Sequence, residues 1–229
     1  MHNTLKARST RLALAAAITM AMASTAQAVD VTVVGRIIPA TCTMTLTDPD
    51  IDFGTIPLDR ISTTANSKIT PFMSGVDART TLNVACDAPA QLAVSFTDNR
   101  AGSVDNSVIN VLPSATTTET FGLGVDTVGT NIGAYSLEGE GATVNGVAAK
   151  MLESTDGGAT WSVPTSRRAQ NTPGWWASWV RESQPDAPEP ITSLAQIMEV
   201  NAGVVPSSSL DTTVPVVIDG SVTMELIYL

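Results

Sequence analysis

Short runs of β-branched and aromatic residues, each cut off by turn formers, recur along this chain, and that spacing constrains the fold more than any other feature. Thr81-Leu82-Asn83-Val84-Ala85 and Leu92-Ala93-Val94-Ser95-Phe96 alternate with the period of two expected of a strand with one buried face. Val31 to Ile38, Phe121 to Val125, Ile132 to Leu137, Val147 to Leu152, Ala195 to Val200 and Val214 to Ile218 are further candidate strands. Val222-Thr223-Met224-Glu225-Leu226-Ile227-Tyr228-Leu229 is the last of them, with Val222, Met224, Leu226 and Tyr228 on one face. Gly, Pro, Asn, Asp and Ser clusters separate the runs, and a helical period is weak throughout. Ile191 to Val200 suits either a short helix or a strand, and we read it as a strand. The pattern predicts an all-β sandwich. The Pro-rich stretch Gln184 to Pro190 has strands on both sides, so it reads as an extended loop inside one domain, residues 29–229.

The first 28 residues obey different rules. Lys6, Arg8 and Arg11 precede an apolar run of twelve, Leu12 to Ala23, and small residues ending in Ala26-Gln27-Ala28 follow. The run is shorter than the roughly 20 residues that span a bilayer. A basic start, a short apolar core and an Ala-x-Ala site read as a secretory signal peptide, residues 1–28, removed after Ala28. The expected product is exported and does not span a membrane.

Removal of that leader changes the chemistry open to the chain. The full sequence has 12 Lys+Arg against 22 Asp+Glu, and the leader holds three of the basic residues and no acid. The remaining 201 residues therefore carry a net charge of −13, which disfavours a nucleic-acid partner. The single histidine, His2, also leaves with the leader. A Ser-His-Asp or Cys-His nucleophile and a histidine-ligated metal site are then excluded. We expect no enzyme activity, no cofactor and no metal. Asp48-Pro49-Asp50-Ile51-Asp52 is acidic, but it lacks the glycine turn and distal Glu of a calcium loop. Cys42 and Cys86 are the two cysteines, and an oxidising compartment favours a disulfide between them.

Two local features point away from a plain scaffold. Ser154-Thr155-Asp156-Gly157-Gly158-Ala159-Thr160-Trp161 resembles the Asp-box of bacterial sialidases. In those enzymes the box is a structural hairpin remote from catalysis, so a tight turn is expected here. Trp161, Trp175, Trp176 and Trp179 are all the tryptophans of the chain and lie close together in sequence. They read either as a cover over one end of the sandwich or, if exposed, as a receptor-contact patch. The neighbouring pair Arg167-Arg168 reads as a solvated loop.

Cys42, the second cysteine Cys86 at the end of an alternating strand, and the penultimate Tyr228 together resemble a chaperone–usher pilus subunit. The N-terminal motif Val31-x-x-x-Gly35-x-Ile37-Ile38-x-x-x-Cys42 carries the same resemblance. More closely, the chain is similar to a proteobacterial family of exported, fimbrial-like proteins with no assigned activity. The matching segments are Gly35-x-Ile37-x-Pro39-Ala40-x-Cys42, Asp52-Phe53-Gly54, Cys86-Asp87-Ala88-Pro89, Thr97 to Ser103, Phe121-Gly122-Leu123-Gly124 and Ile132-Gly133-Ala134-Tyr135. The resemblance implies an immunoglobulin-like sandwich with an incomplete last strand and an elaborated middle hairpin region. It implies a groove filled first by a periplasmic chaperone and then, at an outer-membrane usher, by a neighbouring subunit's N-terminal strand. Val222, Met224, Leu226 and Tyr228 would line one wall, and basic residues of the chaperone would hold the carboxylate of Leu229. Such subunits carry a longer stretch before their first strand than Val29 and Asp30. Either Val29 to Val34 is itself the donor, with Val29, Val31 and Val33 alternating, or the chain has none and sits at a tip. The implied role is a structural subunit of a surface fimbria. The alternative is a tip or minor adhesin binding a host or surface glycan through Trp161 to Trp179.

Overall fold

The computed structural model describes residues 34, 36, 39–71, 78–113 and 115–229. The donor candidates Val29, Val31 and Val33 lie outside the described residues. Residues 39–229 form one compact unit.

Among the described residues ten strands follow in order: β1 (Cys42–Leu46), β2 (Ser67–Ile69), β3 (Arg79–Ala90), β4 (Leu92–Asp98), β5 (Phe121–Gly122), β6 (Gly133–Val144), β7 (Val147–Ser154), β8 (Trp176–Arg181), β9 (Ile191–Val204) and β10 (Val222–Tyr228). The described helical segments are short 3₁₀ helices of three to six residues. The all-β class read from the strand spacing is what the chain adopts. The path through the strands is β1-β3-β9-β6-β7-β8-β4-β10, with β2 also on β9 and β5 also on β6. Each strand-to-strand ladder is antiparallel.

One strand joins two layers. The β6–β7 turn is Val144-Asn145-Gly146-Val147, with Asn145 and Gly146 both at positive φ, the conformation a two-residue hairpin favours. β7 leaves β6 after Ala148 and pairs with β8 from Ala149 to Ser154. The first layer is therefore β1-β3-β9-β6 and the second β7-β8-β4-β10, an arrangement consistent with a β-sandwich.

The buried face of each strand follows its alternation. Leu82 and Val84 of β3, Val94 and Phe96 of β4, and Leu194 and Met198 of β9 all enter one core. A polar link crosses it. The indole N–H of Trp179 in β8 donates to Gln196 Oε1 in β9 at 2.7 Å, and Gln196 Nε2 donates to the Glu140 carbonyl at 2.6 Å. The β6–β9 register slips between Glu140 and Thr143, so this amide satisfies a carbonyl that the ladder leaves over.

Two expectations need correcting. Val214 to Ile218 belongs to no strand; it is a strap ahead of β10. Asp211 N–H donates to Asp126 Oδ2 at its start, and Asp219 N–H donates to the Leu123 carbonyl at its end. Arg168 is not solvated: it is 5% exposed and its guanidinium donates to Glu138 Oε2 at 2.6 Å. Residues 167–169 lie against the outer edge of β6, through Gly139 N–H to the Arg167 carbonyl and Ala169 N–H to the Leu137 carbonyl.

Candidate functional site

The strand path has two ends, β1 and β10, and these two ends face each other. Cys42 N–H donates to the Tyr228 hydroxyl at 2.8 Å, while Leu46 lines the same cavity as Val222 and Met224. Cys42 thus lies beside the end of β10 and Leu46 beside its start, so the two strands run antiparallel across a gap.

The ladder phase shows what points into the gap. Asp87 N–H donates to the Thr41 carbonyl and Thr47 N–H to the Thr81 carbonyl, so odd-numbered residues of β1 bond to β3. The even residues Cys42, Met44 and Leu46 turn their backbone groups to the open side. On β10, Asn99 N–H donates to the Ser221 carbonyl and Leu229 N–H to the Gln91 carbonyl. Odd residues there bond to β4, and Val222, Met224, Leu226 and Tyr228 turn their N–H and C=O groups to the gap.

The side chains agree with the backbone. Met44, Leu46, Val222, Met224 and Leu226 pack against the core but stay only partly buried. A cavity of about 350 Å³ lies at the Leu46 end of the gap, lined by Val222 and Met224 of β10 and by Phe53, Tyr135, Leu137 and Val200. A second, of about 400 Å³, continues it along the strap between Ile56, Leu58 and Ile61 on one side and Val214 and Val216 on the other. Ile218 lines both, so the two adjoin at this side chain and are named together as the trough. Gly220 sits where the chain passes over the Tyr135 ring, and a Cβ there would come within 2.8 Å of it.

The strap is held by carboxylates. Asp126 lies below the usual carboxylate range, chiefly because Asp211 N–H donates to it, with Thr130 and Val128 adding to the effect. Asp211 is lowered by the hydroxyls of Thr213 and Thr127. Arg100 donates through both Nε and Nη2 to Asp219 Oδ2, at 2.9 and 2.7 Å.

The structure divides the tryptophans. Trp175 and Trp179 are each 2% exposed and belong to the core, so neither ring offers a face to a receptor. Trp161 and Trp176 are half-buried. The Asp-box segment is the expected turn. Asp156 accepts from the Thr160 hydroxyl and N–H and from the Ser154 hydroxyl, and these bonds hold its pKa down to about 2. Trp161 Nε1 donates to the Gly158 carbonyl at 3.1 Å. Cys42 and Cys86 form a disulfide. Among the described residues no three His, Cys, Asp or Glu side chains converge to hold a metal ion.

The lowered carboxylates set a pH dependence. A group whose folded pKa is depressed stabilises the fold above its unfolded value near 4 and loses that contribution as pH falls through the folded value. Asp126, Asp156 and Asp211 are all of this kind. Urea midpoints are expected to be flat above pH 5 and to fall steadily from about pH 4 towards pH 2. Asp156→Asn flattens the lower part of that fall, because Asp156 titrates near 2.

Residues 31–136 match the model of a family described as a protein of unknown function, DUF1120. That span holds both cysteines and β1 to β5, and stops within β6, so β10 lies outside it. No curated protein matches the chain.

Proposed function

We propose that the chain is a structural subunit of a surface fimbria whose trough accepts a strand from another protein. The observation that carries this reading is the pair of facing edges, β1 and β10. Both turn backbone groups and half-covered apolar side chains to one gap, and among the described residues only the Cys42 N–H, bonded to the Tyr228 hydroxyl, has a partner across it. An edge left in that state invites pairing and aggregation unless something covers it. A single added strand satisfies both edges at once, with main-chain bonds giving affinity and alternate side chains filling the trough.

Because β1 and β10 run antiparallel, an inserted strand lies parallel to one and antiparallel to the other. A periplasmic chaperone supplies the first such strand and a neighbouring subunit, at the usher, the second. Residues 29–34 extended span about 20 Å, roughly the length of β10. Ile37 keeps the phase of Val29, Val31 and Val33, which suits it to the part of the trough beneath the strap. The resemblance in Gly35 to Cys42 and the penultimate Tyr228 supports the same reading. With two of the four tryptophans in the core, the structure offers nothing specific to favour the adhesin alternative.

Co-expression with a periplasmic pilus chaperone tests the proposal. The expected result is a subunit recovered in soluble form only as a one-to-one complex. A monodisperse monomer, stable with no partner, overturns it.

A further inference from the structure

Among the described residues the gap between β1 and β10 is crossed by one hydrogen bond, from the Tyr228 side chain. Tyr228 stands at an even position of β10, in phase with Val222, Met224 and Leu226, yet it is 51% exposed while those three pack against the core. Its hydroxyl accepts from Cys42 N–H at 2.8 Å, a bond between residues 186 apart in sequence. That amide is the one an added strand needs at this end of β1, because Thr41 and the other odd residues face β3. Thr41 is fixed as well: its N–H donates to Asp87 Oδ1 at 2.7 Å and its carbonyl accepts from Asp87 N–H. β1 is therefore held straight at the mouth of the trough, with one donor there already engaged.

We propose that Tyr228 is a latch on the trough. With the trough empty, its hydroxyl ties β1 to β10 at Cys42; a strand that enters takes the Cys42 amide with its own carbonyl and displaces the hydroxyl into water. The exposed phenol regains a hydrogen bond from solvent, so the occupant forfeits only the modest net worth of the latch bond. The latch keeps the two edges apart and aligned without filling the space between them. It also makes every occupant compete for one hydrogen bond, which sets a floor on how well an occupant must pair elsewhere. This inference rests on the reading of the trough as a strand acceptor.

Tyr228→Phe keeps the ring and removes the hydroxyl. The probe is a labelled synthetic peptide of residues 29–38, titrated by fluorescence anisotropy against the full chain and its variant. Hydrogen exchange at the Cys42 amide is followed in parallel. The expected result is binding to both proteins, with the variant about three- to tenfold tighter, the worth of one net hydrogen bond. The Cys42 amide is expected to be protected in the empty wild type, unprotected in the empty variant, and protected in both once peptide is bound. Equal or weaker binding by the variant overturns the latch and leaves the acceptor trough standing. So does protection of Cys42 in the empty variant. Failure of the peptide to bind either protein removes the trough reading itself. Because the exchange pattern of the rest of β1 and β3 reports folding, a variant that merely unfolds is recognised by loss of protection there.

Discussion

Trp175→Ala is expected to lower the unfolding free energy by about 3–5 kcal/mol, the range for emptying a fully buried aromatic site. Trp175 is 2% exposed, its ring lies 5.9 Å from that of Phe96, and its indole N–H donates to Glu153 Oε2 at 2.9 Å. Truncation leaves a cavity against Phe96 and deprives a carboxylate between β7 and β8 of its donor, two losses that add. Trp161→Ala removes a half-buried ring bonded only to its own turn, and is expected to cost about 1 kcal/mol or less. Urea unfolding of the two variants separates the two readings of the tryptophan cluster. If the cluster were one contact patch, both substitutions would spare stability and both would affect binding. A drop of several kcal/mol confined to Trp175 places that ring in the fold.

The same residues show how far the sequence carries. Trp175 directly precedes β8 and Trp176 opens it; Ser178 and Val180, in phase with Trp176, are as buried as Ala177 and Trp179, so period-two alternation alone does not separate the core rings from Trp176. The alternating runs of β3, β4 and β10 made those strands legible, whereas Ile191 to Val200 of β9 suited either a helix or a strand. β6 was read as far as Leu137 but runs to Val144, because Glu138, Gly139, Glu140 and Gly141 look like a loop. Glu138 is tolerated there by its pairing with the buried Arg168, and the bulge at Glu140 by the Gln196 amide. Both partners are remote in sequence. The Asn145-Gly146 turn that ends β6 was a local signal in plain view. Val214 to Ile218 shows the opposite limit. Its apolar residues promise a strand, but whether a strand pairs depends on what lies beside it. The trough itself was legible only as half a wall: Val222, Met224 and Leu226 were in the sequence, whereas the opposing edge needed the register of β1 on β3.

Replacing both cysteines, Cys42→Ala with Cys86→Ala, is expected to cost about 4 kcal/mol on the chain-entropy account for a bridge across 44 residues. At this chain length that corresponds to a fall in Tm of about 8–16 °C. The bridge joins residues directly opposite in the β1–β3 ladder, at a pair flanked by hydrogen-bonded neighbours, with Cα atoms 4.0 Å apart. β1 is five residues long and, among the described strands, pairs with β3 alone, so it depends on this tie more than an internal strand would. Loss of the bridge therefore falls hardest on the wall of the trough. Amide exchange is expected to rise first along Cys42–Leu46, ahead of β9 and β6 at the centre of the first layer. The Tyr228 bond to Cys42 has to hold the mouth unaided, and binding of a strand to the trough is expected to weaken further than the fall in global stability explains. A loss below about 1 kcal/mol, with β1 amides still as protected as those of β3, means that the ladder alone holds this edge. The trough would then keep its shape in a reducing environment.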